Sequence, residues 1–226
     1  MTTSRLEDDE PEGETDAANL VARIQESLAE QKGFSLSPSV ERLEAVAEEI
    51  SSLIPLATLI ISKLIIPEKH VDDGVLLLST AIEWDEILKH LDKDWDNAFK
   101  IPPDKWEEIV AGAYKRAGFD EVILTRRSND KGRDVIAIKK GVGTVKILGS
   151  VKAYGPGKVV RHDDVRALVG VLSMEPNASK GVLTTTSDFA PMVMKDTRYT
   201  NLMPTRLELV NGKQLQEWLR VLSKKT

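Results

Sequence analysis

The chain has 226 residues, a net charge of −5 and no cysteine, which excludes disulfides and thiolate metal sites and fits a reducing cytoplasm. Its most apolar stretch, residues 53–66, is 14 residues long and interrupted by Pro55, Ser62 and Lys63. That is short of the about 20 residues of a membrane span, and the polar, acidic N-terminus has no signal-peptide core.

The charge is unevenly divided. Residues 1–100 carry 9 Lys+Arg against 22 Asp+Glu, a net −13, whereas residues 101–226 carry 22 against 14, a net +8. Such a split predicts different partners for the two parts, with nucleic acid favoured only by the second. Residues 1–16 hold seven acids and one arginine; a segment with so little to bury is expected to remain a disordered tail. From Ala17 the pattern turns helical, with Leu20, Val21, Ile24 and Leu28 on one face. Ser37-Pro38 marks a second helix start, followed by Leu43, Val46, Ile50 and Leu53 at helical spacing until Pro55 breaks the run. A long helix is predicted from Asp72 to about Phe99, carrying Leu77, Ile82, Ile87, Leu88 and Leu91. Residues 17–100 thus read as an acidic all-α domain suited to self-association or docking of a partner protein.

Ile101-Pro102-Pro103 ends that half, because a residue before proline is pushed out of helix. Asp104 and Glu107 then have the spacing of a capping box, opening a helix lined by Ile109, Val110, Ala113 and Tyr114 and closed by Gly118. Strands are predicted at 122–124, from about Asp134 to Ile138 and from Thr144 to Lys152, the last two joined by a glycine turn. A helix over 162–174, a strand at 181–186, a short helix at 191–196, a strand at 207–210, an Asn211-Gly212 turn and a final helix complete the chain. The order α-β-β-β-α-β plus an extra α-β-α implies an α/β fold, a mixed sheet flanked by helices, beside the N-terminal all-α domain.

Asp134 and Lys152 stand at the ends of neighbouring strands, where a carboxylate and an ammonium can converge. Phosphodiester hydrolysis needs such a pair: an oxygen ligand for a hard divalent cation and a cation that positions water. Each alone has a plainer reading, as a solvated aspartate or as an edge-strand lysine. Basic residues in the surrounding loops, Arg126, Arg127, Lys131, Arg133, Lys158 and Arg161, are candidate phosphate contacts, which give affinity without reading sequence. Lys139 and Lys140 belong to the same basic set. Gly155-Pro156-Gly157-Lys158 lacks the spacing of a phosphate-binding loop and reads as a loop beside the site.

From Trp106 to about Leu219 the chain resembles the Mrr-type catalytic domain of the PD-(D/E)xK restriction-endonuclease-like superfamily. The resemblance is carried by Trp106-Glu107, by Gly118-Phe119, by the run Ser128 to Asp134 that resembles an Asp-x-Gly-x-Asp loop, by Ser150-Val151-Lys152 at the family's Gln/Glu-x-Lys, and by Lys180 to Phe189. It implies a DNA endonuclease of residues 101–226 that uses Mg²⁺, with Mn²⁺ able to substitute. Asp134, Ser150 and Glu107 would then serve as metal ligands and Lys152 as the water-orienting cation. It also implies a homo-oligomer that cuts both strands, and a role in restriction of foreign DNA. Ser150 departs from the pattern, since a hydroxyl is shorter and uncharged. That departure opens a second reading, a silent nuclease fold that binds nucleic acid or protein. Glu107 likewise has two readings, as a cap or as a site residue, while Glu108 points about 100° away.

Overall fold

The computed structural model describes residues 54–125 and 132–224. The chain divides into two compact units, Met1–Ile50 and Ser51–Thr226, and the described residues lie in the second. The acidic tail, the helices expected over residues 17–53, and Arg126, Arg127 and Lys131 fall outside the described residues.

Seven strands form one sheet in chain order: β1 (Ile65–Val71), β2 (Gly74–Thr80), β3 (Glu121–Thr125), β4 (Val135–Lys139), β5 (Val145–Lys152), β6 (Lys180–Thr185) and β7 (Leu207–Val210). Among the described residues the helices are α1 (Leu56–Ile61), α2 (Ile82–Lys93), α3 (Pro103–Arg116), α4 (His162–Met174), α5 (Pro191–Lys195), α6 (Thr197–Thr200) and α7 (Gly212–Ser223), with a 3₁₀ segment at Trp95–Lys100. β1 to β5 pair antiparallel, while β5, β6 and β7 pair in parallel. Antiparallel neighbours need only short turns, but each parallel pair needs a crossover, which α4 and then α5–α6 supply. This is the expected mixed sheet between helices.

The pleat sends alternate residues to two cores. Val135 and Ala137 face a core with Trp84, Ile87, Trp106, Ile109, Tyr114 and Leu215. Ile136 and Leu148 face the other, with Val165, Leu168, Leu183, Val193 and Leu209. The two large indoles of the first core each keep a hydrogen-bond partner, Trp84 Nε1 donating to Ile109 O at 3.0 Å and Trp106 Nε1 to Ala98 O at 3.0 Å, as buried indole requires.

Three local expectations are corrected. First, residues 65–80 are not helical. They form the β1–β2 hairpin, which pairs with β3 through Val75↔Leu124 and Leu76↔Ile123. Residues 56–100 therefore share one sheet and one core with the elements from α3 onward, and the boundary expected at residue 101 is internal to one unit. Burial accounts for part of the apolar stretch 53–66: Leu59, Leu64 and Ile65 lie in the core, while Ile61 and Ile66 are exposed. Second, α3 starts at Pro103 with no side-chain cap. Proline at the first helical position, with its preset φ, replaces the expected Asp104–Glu107 capping box. Third, Asn211-Gly212 is a helix start rather than a turn. Asn211 Oδ1 accepts from Gln214 N at 3.0 Å, and Gln214 Oε1 accepts from Asn211 N at 2.9 Å. Gly118 does close α3 as expected, at φ 88°, a left-handed conformation that favours glycine. Among the described residues no helix is long and apolar enough to cross a membrane.

Candidate active site

β4 and β5 pair from Lys139↔Val145 to Val135↔Gly149. Asp134, one residue before β4, prolongs the seam in a different way. Its backbone N–H donates to Gly149 O at 2.8 Å, and its side-chain Oδ2 accepts from Val151 N at 2.6 Å. The carboxylate thus takes the place of a backbone carbonyl in the ladder, a charge-assisted bond of about 1.5–3 kcal/mol. It reaches β5 between Ser150 and Lys152. By strand alternation those two share the face of Leu148. Ser150 is 4% exposed and Lys152 is half-buried.

Three donors hold the Lys152 carbonyl: Thr185 Oγ1 at 2.8 Å, Tyr154 N at 3.0 Å and Thr186 N at 3.3 Å. Thr186 Oγ1 also donates to Tyr154 O at 2.8 Å. Buried hydroxyls find partners, and here the Thr185–Thr186 pair fixes where β5 ends. On the other side, Thr125 N and Oγ1 donate to Asp134 O at 3.0 and 3.2 Å, and Oγ1 also donates to Arg133 O at 2.7 Å. Thr125, Thr185 and Thr186 are supporting residues that sequence reasoning missed. The signal available was a polar β-branched residue at the end of an apolar strand.

Glu107 lies in the second turn of α3 and is half-buried. At its far end α3 is tied to the end of β4, where Lys139 Nζ donates to Gly118 O at 2.6 Å. Its first turns consequently run back toward the end of the sheet that carries Asp134. Glu108 is engaged elsewhere: its Oε2 accepts from Leu64 N at 2.9 Å and its Oε1 from Lys105 Nζ at 2.8 Å. Glu108 is thus committed to Leu64 and Lys105.

The basic residues divide. Arg133 was expected on a DNA-facing loop, but it is 3% exposed. Its Nη2 donates to Asp73 Oδ1 at 2.8 Å in the β1–β2 turn, and Nη1 pairs with Glu175 after α4. Glu175 also pairs with Lys146 at 3.0 Å. A buried guanidinium between two carboxylates is a structural clamp, not a phosphate contact. Lys139 and Lys140 sit at the opposite end of β4 from Asp134 and pair with Asp120 and Glu121. Lys158 and Arg161 are exposed and have no ion pair among the described residues. They line a cleft of about 420 Å³ with Tyr154, Gly157, Val159 and Asp164. Burial, with the Asp164 carboxylate beside it, pushes the Tyr154 hydroxyl up from its ordinary pKa. His162, at the start of α4, faces Asp196 and Tyr199 instead of the seam, at 3.5 and 3.4 Å.

The donor set is all oxygen. Among the described residues no group of three or more His, Cys, Asp or Glu side chains forms a metal site. A carboxylate has about four lone-pair sites, so Asp134 can hold the Val151 amide and ligate at once. One firm carboxylate, a hydroxyl and retained water suit Mg²⁺ better than a softer ion.

The family comparison covers these same elements. Residues 99–219 match the Mrr catalytic-domain family, described as restriction endonuclease. No curated protein matches the chain. Solved structures that resemble it include two restriction endonucleases. The restriction endonuclease MspJI in complex with a 27-mer oligonucleotide is 18% identical, with a TM-score of 0.42 over 63% of this chain and 33% of that one. The DNA modification-dependent restriction endonuclease AspBHI is 21% identical, with a TM-score of 0.42 over 66% and 42%. The chain thus spans well under two thirds of the length of either. The family match runs from the residues before α3 into α7 and takes in both strands of the Asp134–Lys152 seam, so the chain belongs to the Mrr catalytic-domain family of restriction endonucleases.

Proposed function

We propose that the chain is a divalent-metal-dependent DNA endonuclease acting in restriction of foreign DNA. One observation carries the reading: the Asp134 carboxylate is docked on the amide of Val151, the residue immediately before Lys152. Asp134 is the principal metal ligand, assisted by Ser150 and Glu107, with Mg²⁺ the physiological ion and Mn²⁺ a substitute. The chemistry such an ion supplies is polarisation of the phosphoryl oxygen and acidification of water. Lys152 orients the attacking water and helps remove its proton; the bonds to its carbonyl keep the start of that side chain fixed. Lys158 and Arg161 contact the DNA backbone, with Arg126, Arg127 and Lys131 in the same role.

Nicking of supercoiled plasmid by the purified protein in Mg²⁺ or Mn²⁺ tests this. Lys152→Ala is expected to slow cleavage about 10²–10⁴-fold, and Asp134→Ala to abolish it. Cleavage that survives both substitutions refutes the assignment.

Ser150 supports a second reading. A buried hydroxyl stands where the family pattern has a longer acceptor, and a weak ion site would leave a DNA-binding protein without catalysis. Calorimetric titration with Mn²⁺ separates the two: the nuclease reading requires a heat that Asp134→Ala removes, and the silent reading requires none.

A further inference from the structure

The loop between β5 and α4 carries a feature that the hydrolytic chemistry does not use. Tyr154 follows Lys152 by two residues, no more than about 7 Å along the chain. Its hydroxyl donates to Asp164 at 3.1–3.2 Å, and its carbonyl is held by Thr186. The ring is therefore fixed from both ends. Lys158 Nζ lies over that ring, 3.9 Å from the centroid, close enough for a cation–π attraction of about 0.5–1 kcal/mol or more. Ser187 Oγ donates to the Lys158 carbonyl, anchoring the backbone below it. An exposed lysine normally samples many rotamers, but this one has a platform. Arg161 lines the same cleft. The Asp164 carboxylate also lines it, and is occupied by the Tyr154 hydroxyl and by Arg161 N at 3.3 Å. Two cations thus face one engaged carboxylate.

We infer that this cleft is a built subsite for a backbone phosphate of DNA flanking the scissile one, and that Tyr154 is the positioning residue that holds Lys158 in place for it. The inference rests on the nuclease reading only for the identity of the polymer. A cation held in its binding geometry loses less freedom when the phosphate arrives, so the ring raises affinity without touching the DNA.

The test is fluorescence anisotropy of a short labelled DNA duplex with the full chain in EDTA, across a salt series, so that hydrolysis plays no part. Lys158→Ala and Arg161→Ala are each expected to weaken binding and to lower the log–log salt slope by about 1. Tyr154→Leu keeps every charge, so it should weaken binding about threefold to tenfold with the slope unchanged, whereas Tyr154→Phe, which keeps the ring under Lys158 but releases Asp164, should recover part of that loss. The Tyr154→Leu/Lys158→Ala pair should be no weaker than Lys158→Ala alone. Unchanged slopes for Lys158→Ala and Arg161→Ala overturn the subsite, as does a wild type that does not bind the duplex. Equal affinity for Tyr154→Leu and wild type overturns the role of the ring. A wild type that shows the slope changes yet cuts in no metal overturns the nuclease reading and leaves the subsite standing.

Discussion

At residue 150 the proposed metal site has a serine, whose hydroxyl is shorter than a carboxylate and uncharged. The residue is buried on β5, and its neighbours on that face are Leu148 and Lys152. Affinity at oxygen sites rises with the number of charged ligands, so Ser150→Glu is expected to lower the Mg²⁺ concentration for half-maximal plasmid cleavage about tenfold. A metal titration that does not move would mean that position 150 has no part in ion binding. A residue remote from the seam gives an acid-stability prediction. Asp196 caps α6, and its carboxylate is held by Arg198 first of all, then by the Arg198 amide and by His162, which lowers its pKa from the ordinary 3.8 to about 2. A depressed carboxylate stabilises the fold above its unfolded pKa and loses that contribution as pH falls through its folded one. Thermal unfolding of wild type should therefore weaken between about pH 4 and pH 2, and Asp196→Asn should remove that part of the acid limb. Parallel profiles for the two proteins would show that Asp196 contributes nothing.

At the scale of elements, what was legible depended on side-chain period. α4 falls on its expected residues because Val165, Leu168 and Leu172 lie on one stripe and all are buried. The β4–β5 hairpin was legible because two apolar runs flank a glycine-containing turn. The β1–β2 hairpin was not. β1 is an edge strand, with Pro67 inside it and Glu68, Lys69 and His70 exposed, features that suit an edge and erase the alternation by which strands are recognised. β2 has three consecutive leucines, of which only Leu77 is fully buried, and without alternation it joined the helical pattern of α2. The seam itself was only half legible. The β4–β5 pairing sets the Asp134 carboxylate on the Val151 amide, next to Lys152, but whether Arg133 turned to solvent or to the interior depended on Asp73, 60 residues earlier in a hairpin that the sequence pattern hid. α2 and α3 also meet at a contact that fixes one residue identity. A Cβ on Gly112 would lie 2.3 Å from Trp84 Nε1 and 2.7 Å from its Cδ1. Alanine would gain about 1 kcal/mol of helix propensity, but overpacking against a buried indole costs typically about 1–3 kcal/mol. Gly112→Ala is therefore expected to lower stability in urea by up to about 2 kcal/mol, and a rise in the unfolding midpoint would show that the Trp84 contact can relax.

The charge division along the chain does not coincide with the division of the molecule. The sequence turns from acidic to basic near residue 100, whereas the compact unit that holds the sheet begins at Ser51. Residues 56–100 contribute Leu59, Leu64, Leu77, Trp84, Ile87 and Leu91 to the first core, and the β1–β2 turn supplies Asp73 to the clamp on Arg133, next to the proposed metal ligand. A chain cut at residue 100 would expose the β3 edge and one side of α3. It would also leave the buried Arg133 guanidinium without one of its two carboxylates, a loss added to that of the core residues. Deletion of residues 1–50 is accordingly expected to leave a folded protein that unfolds cooperatively and retains Mg²⁺-dependent nicking, while deletion of residues 1–100 yields aggregate or a chain without a cooperative transition. Circular dichroism melts and plasmid nicking on the two truncated chains distinguish these outcomes. Light scattering of the shorter deletion tests the remaining expectation. If the acidic N-terminal residues bring two copies together to cut both strands, removing residues 1–50 should convert a dimer to a monomer and leave nicked circles where the full chain produces linear DNA. A shorter chain that is still dimeric, or that still linearises plasmid as the full chain does, would place the self-association in the unit that begins at Ser51.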